Sequence, residues 1–283
     1  MLADAESGIT EGAPEMVSGW EAILQLGFAA KNAKTVLVER EHRGPLTVQR
    51  PFYPEGGVCH VYLLHPPGGI VAGDRLSISV CAATKSHALL TTPAAGKFYR
   101  SGGEQASQSV SLKIATDATL EWLPQETIVY EGARMTSSMV IELEQNAGFI
   151  AWEVLAFGRP AAGEAFNSGE AMLNWQLTRD GKLFYQERLR LDAKAFSARW
   201  GLNGESACGT LFASPTSAAH LEAVQQLIGE HPNRGVTRID DMLICRAIDA
   251  RADQLREFFQ QVWQLIRTDI VQQAPCSPRI WAT

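Results

Sequence analysis

Short apolar runs in which every second residue is hydrophobic constrain this chain more than any other feature. Leu76, Ile78 and Val80 alternate with Ser77 and Ser79, which places apolar side chains on one face of an extended segment and polar ones on the other. Runs of this kind recur about every ten residues with turn-forming residues between them, a pattern typical of layered β-proteins. The other predicted strands are 24–28, 35–40, 58–64, 86–92, 109–114, 118–123, 139–144, 148–156, 170–178 and 183–192.

Only two segments have helical spacing of apolar residues. Residues 217–229 begin with a capping Ser217, and residues 250–272 carry a longer apolar stripe formed by Leu255, Phe258, Phe259, Val262, Leu265 and Ile266. The strands do not alternate with helices, which argues against a doubly wound α/β fold. The sequence therefore predicts a mainly β, layered architecture with two α-helices, both packed on the sheets.

Composition limits the classes of partner and the compartment. The net charge of −6 argues against nucleic-acid binding, and the absence of 18 consecutive apolar residues argues against a membrane span. Five widely spaced cysteines without a Cys-x-x-Cys pair indicate reduced thiols and a cytoplasmic protein. Residues 1–17 are small and polar and are expected to be a flexible leader, so 18–283 are predicted to form a single domain.

Motifs for nucleotide or tight metal binding are absent. Gly96 and Lys97 suggest a phosphate-binding loop, but Thr91 occupies the position of its first glycine and Phe98 that of its Ser or Thr. The six histidines include no pair at the helical spacing of a zinc protease. We therefore expect no tightly bound cofactor.

Glu126 and Glu131 support an alternative function. Two carboxylates close to aromatic residues suggest a carbohydrate-active β-protein, if both were to face one cleft. They are five residues apart, however, and neighbours at that spacing point to opposite faces of an extended strand. A generic β-rich binding module is a second alternative.

Four stretches rich in glycine, proline and charge have more specific sequences than ordinary turns. They are residues 65–76, 91–101, 120–133 and 158–164. Their glycines permit tight backbone geometry, and the acid of the first stretch can initiate the turn before the next strand. The residues predicted to form the motif or an interface are Gly68, Gly69, Gly73, Asp74, Lys97, Tyr99, Arg100, Trp122, Glu126 and Arg159.

Together and in this order, the four stretches resemble the UreD (also called UreH) family of urease accessory proteins. The resemblance extends from about Trp20 to the C-terminal helix. It implies a helical-β-like fold with two helices and a chaperone without enzymatic activity. It also implies that the chain docks on apo-urease and holds UreF, which recruits the GTPase UreG, so that nickel reaches the urease active site.

A protein that conducts nickel must also release it. Ligation is then expected to be weak and distributed over several sites, by the logic that applies to conducting pores. The predicted transient nickel ligands lie within the four stretches: His65, Asp74, Glu126, Glu131 and Glu164.

Overall fold

The computed structural model describes residues 19–282, and the predicted leader at 1–17 lies outside this range. Seventeen strands dominate it. The strands are β1 (Glu21–Lys31), β2 (Lys34–Arg43), β3 (Thr47–Val48), β4 (Cys59–Leu64), β5 (Arg75–Ala82), β6 (His87–Thr91), β7 (Gly96–Phe98), β8 (Ala106–Ile114), β9 (Thr119–Trp122), β10 (Thr127–Val129), β11 (Arg134–Leu143), β12 (Gly148–Phe157), β13 (Glu170–Arg179), β14 (Lys182–Asp192), β15 (Ala207–Ser214), β16 (Arg234–Ile239) and β17 (Met242–Asp249).

The strands form two sheets, and the chain winds from one to the other. The first sheet has the order β14-β13-β11-β8-β5-β1-β2, and the second has β16-β17-β15-β12-β9-β6-β4-β3, with β10 and β7 added beside β12. Each turn of the winding adds a strand to each sheet, so β1, β5, β8, β11 and β13 are mutually parallel, as are β4, β6, β9 and β12. This is the geometry of a helical-β fold, and it confirms the predicted mainly β architecture.

The two sheets are buried differently. The first sheet places alternate apolar residues, such as Leu76, Ile78 and Val80, against the second sheet. The second sheet is covered on both faces, as β12 shows: Phe149 and Ala151 face the first sheet, whereas Ile150 and Trp152 face the helices. The uninterrupted apolar run of this strand follows from burial on both sides.

Three α-helices accompany the sheets, one more than predicted. Helix α2 (Ala218–Ile228) and helix α3 (Ala252–Val271) confirm the two predicted helices, and α1 (Ala193–Ser197) is an additional short one. Its five residues are too few to show a periodic apolar pattern, although the side chain of Asp192 caps it by accepting from the amide of Ala195.

The apolar stripe of α3 packs on the second sheet as predicted, with one exception. Leu255, Phe258 and Val262 are buried in the cluster between helix and sheet, whereas Leu265 is 46% exposed. No helix within residues 19–282 is long and apolar enough to cross a membrane.

Candidate functional site

The four glycine- and proline-marked stretches meet at one end of the second sheet. Phe98, Val129 and Phe157 lie side by side as the last residues of the parallel strands β7, β10 and β12. Because parallel strands end at the same edge, the residues that follow them emerge together. The first stretch joins them through Ile70, whose amide donates to the carbonyl of Lys97 at 2.7 Å and whose carbonyl accepts from the amide of Tyr99 at 2.9 Å.

An exposed group of six side chains forms at this edge, and we call it the motif patch: Tyr99, Arg100, Tyr130, Glu131, Arg159 and Glu164. The rings of Tyr99 and Tyr130 lie 4.8 Å apart, and the guanidinium of Arg159 lies 5.0 Å from the centre of the Tyr130 ring. Gly69 allows the close approach of Tyr99, since a Cβ at this position would lie 2.0 Å from the ring atom Cε2.

The carboxylates of the motif patch are satisfied by partners within the chain. Glu131 accepts from the amide of Asn167 at 2.6 Å and from the hydroxyl of Ser168 at 2.7 Å. Glu164 accepts two bonds from Arg159, one of them from Nε at 2.7 Å. Burial is the largest single cause for Glu131 and would raise its pKa, but the bonds from Ser168 and Asn167 together with the charge of Arg100 lower it. The bonds from Arg159 are the main cause of the lowered pKa of Glu164.

Asp74 has a structural role in the first stretch. It is only 5% exposed, and its two carboxylate oxygens accept from the amides of Trp20 at 2.7 Å and Val71 at 2.9 Å. Gly68 and Gly73 take positive φ values of 79° and 85°, which fixes the turn. The prediction that Asp74 starts this turn agrees with the geometry, its burial keeps it away from the surface, and its place among the motif or interface residues stays a prediction.

Two further predicted residues are not part of the exposed surface group. Trp122 is 3% exposed and belongs to the core between the sheets, and its place among the motif or interface residues stays a prediction. Glu126 is partly buried and forms an ion pair of 2.5 Å with Arg256 of α3. Glu131 lies in the motif patch instead, so the two carboxylates have separate surroundings and their placement does not support a glycosidase.

A cavity of about 280 Å³ is lined by residues of both sheets, among them Ile78 of β5 and Trp122 of β9. His65, Lys97 and Gln125 are among the residues that line it, together with the carboxylate of Glu153. A larger cleft of about 660 Å³ is lined by Trp175, Cys208 and Arg246 among others, and Glu153 borders this cleft as well. Glu153 is therefore the residue that the cavity and the cleft share.

Glu153 is a charged residue inside an otherwise apolar strand of the second sheet. Strand parity points it toward the first sheet, within the otherwise apolar β12. Its two oxygens accept from the hydroxyl of Ser137 at 2.5 Å and from the indole of Trp175 at 3.1 Å. Burial raises the pKa of Glu153, and these two hydrogen bonds offset only part of that effect.

The predicted nickel ligands do not converge on one point. No group of three or more His, Cys, Asp or Glu side chains within residues 19–282 is arranged to hold a metal ion. His65 lines the cavity, and burial lowers its pKa, partly offset by the charge of Asp74. Glu131 and Glu164 share the motif patch, and Glu126 lies apart from them. A ligand role for each of the five remains a prediction.

A second cluster of charges is buried beneath α3. The fully buried guanidinium of Arg267 donates to Glu121 at 2.9 Å and to Glu55 at 2.8 Å. His87 contacts Glu121 at 2.8 Å, and the indole of Trp263 donates to the same carboxylate at 2.7 Å. Burial by itself would raise the pKa of Glu121, but the bonds with His87 and Arg267 outweigh it and lower that pKa to about 2.

Sequence reasoning missed both Glu153 and the Arg267 cluster. The available signal was a single carboxylate inside a buried apolar strand, as with Glu153 in β12 and Glu121 in β9. A charge in such a position requires a partner or a polar cavity, because an unpaired buried charge is costly. The partners themselves are far away in sequence and could not be identified from it.

Fold and site define a class of protein: a β-rich scaffold with an interior cavity and a loop-built patch of tyrosine and arginine at one end. Comparison with known proteins supplies the family. The profile of the UreD urease accessory proteins matches residues 21–282, and the chain belongs to this family.

Individual relatives agree with the profile. A urease accessory protein UreD of Pseudomonas entomophila is 42% identical over 271 residues, which covers 95% of this chain and 97% of the relative. The UreD of Citrobacter koseri is 42% identical and covers 95% of this chain and 93% of its own length. The UreD of Alcanivorax borkumensis is 39% identical over 94% of this chain and 93% of its own length. The predicted family membership is thereby confirmed, and with it a role in urease maturation.

Proposed function

We propose that this chain is a chaperone without catalytic activity that docks on apo-urease in the cytoplasm and supports insertion of nickel, together with UreF and the GTPase UreG. The observation that carries the proposal is the position of Glu153 where an interior cavity meets a larger cleft in a member of the UreD family. A carboxylate oxygen where the cavity meets the cleft lets a divalent cation bind transiently inside the protein. The cation is the cargo in this proposal and is not a resident cofactor.

The raised pKa of Glu153 favours transient binding of a metal ion over permanent binding. A carboxylate must be deprotonated to bind a metal ion, so a raised pKa makes protons compete with the cation. No group of three or more potential metal ligands forms within residues 19–282, so ligation by Glu153 is expected to be weak and release fast. Ni²⁺ also ranks below Cu²⁺ in affinity for most sites, and a closed route selects the metal by access instead of by affinity.

The direct test measures nickel in urease that is purified from cells expressing variants of this chain. We expect Glu153→Gln to lower the nickel content, because the amide keeps the shape but loses the anionic ligand. Glu144→Gln is the matched control, since Glu144 is an exposed carboxylate that accepts from the amide and the hydroxyl of Thr116. Because the pKa of Glu153 is raised, its neutralisation should not lower the stability of the fold at neutral pH. Equal nickel content in both variants and the parent would refute the interior route.

The wider proposal is tested by deletion and by binding. Urease from cells that lack this chain should contain little nickel, and the purified chain should bind apo-urease and UreF. The predicted ligands His65, Asp74, Glu126, Glu131 and Glu164 can be substituted in the same assay. Variants of Asp74 need a folding control, because its carboxylate holds the turn that precedes β5.

A further inference from the structure

The two carboxylates and the two guanidinium groups of the motif patch differ in how fully they are hydrogen-bonded. Both of its carboxylates are occupied by donors of this chain, as the contacts of Glu131 and Glu164 show. Arg159 forms an ion pair with Glu164, and its guanidinium lies over the ring of Tyr130. The exposed guanidinium of Arg100 forms no hydrogen bond or ion pair within residues 19–282, although its charge helps to lower the pKa of Glu131 and of Glu164. Its hydrogen-bond donors are therefore free to bind a partner.

The surroundings of Arg100 are those of a recognition site. Two depressions of about 500 and 530 Å³ flank it and share its side chain. Tyr99, 37% exposed, stands in the first depression beside Tyr130, and Arg134 stands in the second. Tyrosine and arginine are the residues most enriched at the energetic centres of protein interfaces. An arginine also binds a carboxylate through two parallel hydrogen bonds.

We propose that the motif patch is the surface that docks apo-urease, and that it binds an acidic loop of the enzyme whose carboxylate pairs with Arg100 between the two depressions. This inference rests on the proposed function, because apo-urease is its partner. The ring pair of Tyr99 and Tyr130 would pack against the apolar part of the same loop.

Two observations favour apo-urease over the other accessory proteins as the occupant. The patch is polar and carries charge, and such interfaces are typical of partners that must separate again, whereas permanent complexes bury more apolar surfaces. In the proposed function the enzyme is the partner that leaves after it has received nickel. The patch also directly follows β7 and β10, whose residues Lys97 and Thr127 line the interior cavity. A protein docked there would lie next to the interior space.

The test measures binding of apo-urease and of UreF to the full-length chain and to charge-reversal variants. We expect Arg100→Glu to weaken binding of apo-urease by about tenfold or more and to leave UreF binding unchanged. Arg188→Glu is the matched control, since Arg188 is an exposed arginine of β14 in the first sheet and should change either affinity by less than about twofold.

Conservative variants separate recognition from a loss of folding. Arg100→Lys keeps the charge but not the two-pronged geometry, so we expect an intermediate loss of affinity. The affinity of the parent chain should fall as salt is added, and that of Arg100→Glu should not fall in the same way. Thermal unfolding of Arg100→Glu should stay close to that of the parent, because the side chain has no hydrogen bond or ion pair to lose and its effect on Glu131 and Glu164 is a weak surface interaction.

Three results would overturn the inference. If Arg100→Glu binds apo-urease as tightly as the parent does, the patch is not the docking surface. If it loses UreF binding and keeps urease binding, the assigned occupant is wrong. If the parent chain does not bind apo-urease at all, the proposed function fails, and the inference fails with it.

Discussion

The cluster around Arg267 and the motif patch are built from the same residue types and differ in what they leave unpaired. Beneath α3, Arg267 is fully buried, and every carboxylate around it is bonded to it or to a histidine. At the patch, Arg100 is exposed and forms no hydrogen bond or ion pair within the described residues, although its charge acts on Glu131 and Glu164. Burial makes an unpaired charge too costly to keep, whereas water tolerates one at the surface. The comparison separates charges that hold the fold from a charge available to a partner.

The two regions also differ in how many parts of the chain they join. The buried cluster connects α3, β9 and the segment before β4, across separations of 146 and 212 residues in sequence. The C-terminal Trp281 packs nearby, 5.6 Å from the ring centres of both Trp152 and Trp263. The patch joins only the residues that follow three neighbouring strands. Disruption of the cluster should therefore affect the whole molecule, and disruption of the patch should remain local.

The largest expected effect is the loss of the buried guanidinium. Arg267→Ala leaves Glu121 and Glu55 without their main partner, and we expect the free energy of unfolding to fall by about 3–5 kcal/mol. Arg100→Ala should change it by less than about 0.5 kcal/mol. Unfolding in urea, followed by circular dichroism, measures both. Similar losses in the two variants would remove the distinction between the regions.

Acid should lower the stability that the buried cluster around Arg267 contributes to the fold. The folded-state pKa of Glu121 is about 2, below its ordinary 4.5, so its contribution is complete above pH 4.5 and is lost as the pH falls toward 2. The loss should be smaller than in Arg267→Ala, because Arg267 keeps Glu55. Unfolding in urea at a series of pH values tests this. Glu121→Gln should show a flatter pH dependence, and an unchanged slope would contradict the assignment.

Substitution by alanine should have different effects on stability at two glycines next to the motif patch. At Gly158, with φ of 69°, a Cβ would lie 2.6 Å from the carbonyl oxygen of Glu164, and Gly158→Ala should cost about 1–3 kcal/mol of stability. At Gly69 the obstacle is the ring of Tyr99, which can rotate away. Gly69→Ala should therefore cost less stability but separate the ring pair and weaken binding of apo-urease. Thermal unfolding and the binding assay distinguish the two outcomes.

The smallest expected effect concerns the exposed ion pair of the patch. The side chains of Arg159 and Glu164 are 42% and 39% exposed, so Arg159→Ala should leave the free energy of unfolding almost unchanged. Added salt should reduce the difference between variant and parent, because exposed pairs are screened. A loss as large as that of Arg267→Ala would show that the patch is as important to the fold as the buried cluster.

Much of the fold was predictable from the sequence, because strand and helix periodicity are local properties. The alternation of Leu76, Ile78 and Val80 was sufficient to place β5 and its buried face. Strands β15, β16 and β17 were not predicted, although they form one side of the second sheet. In β17, buried on both faces, the apolar run Met242–Cys245 has no period of two, so that signal was absent.

The sequence by itself determined the strand-rich character, the two long helices and the four stretches that indicate the family, because each depends on residues within about ten positions of one another. Only the tertiary structure decided that Arg267 forms buried ion pairs and that Arg100 forms none. It also decided that Glu153 borders both the interior cavity and the cleft, and that Trp122 and Asp74 are buried. These properties depend on which strands become neighbours. That arrangement is set by the winding of the chain between the two sheets, which no local pattern specifies.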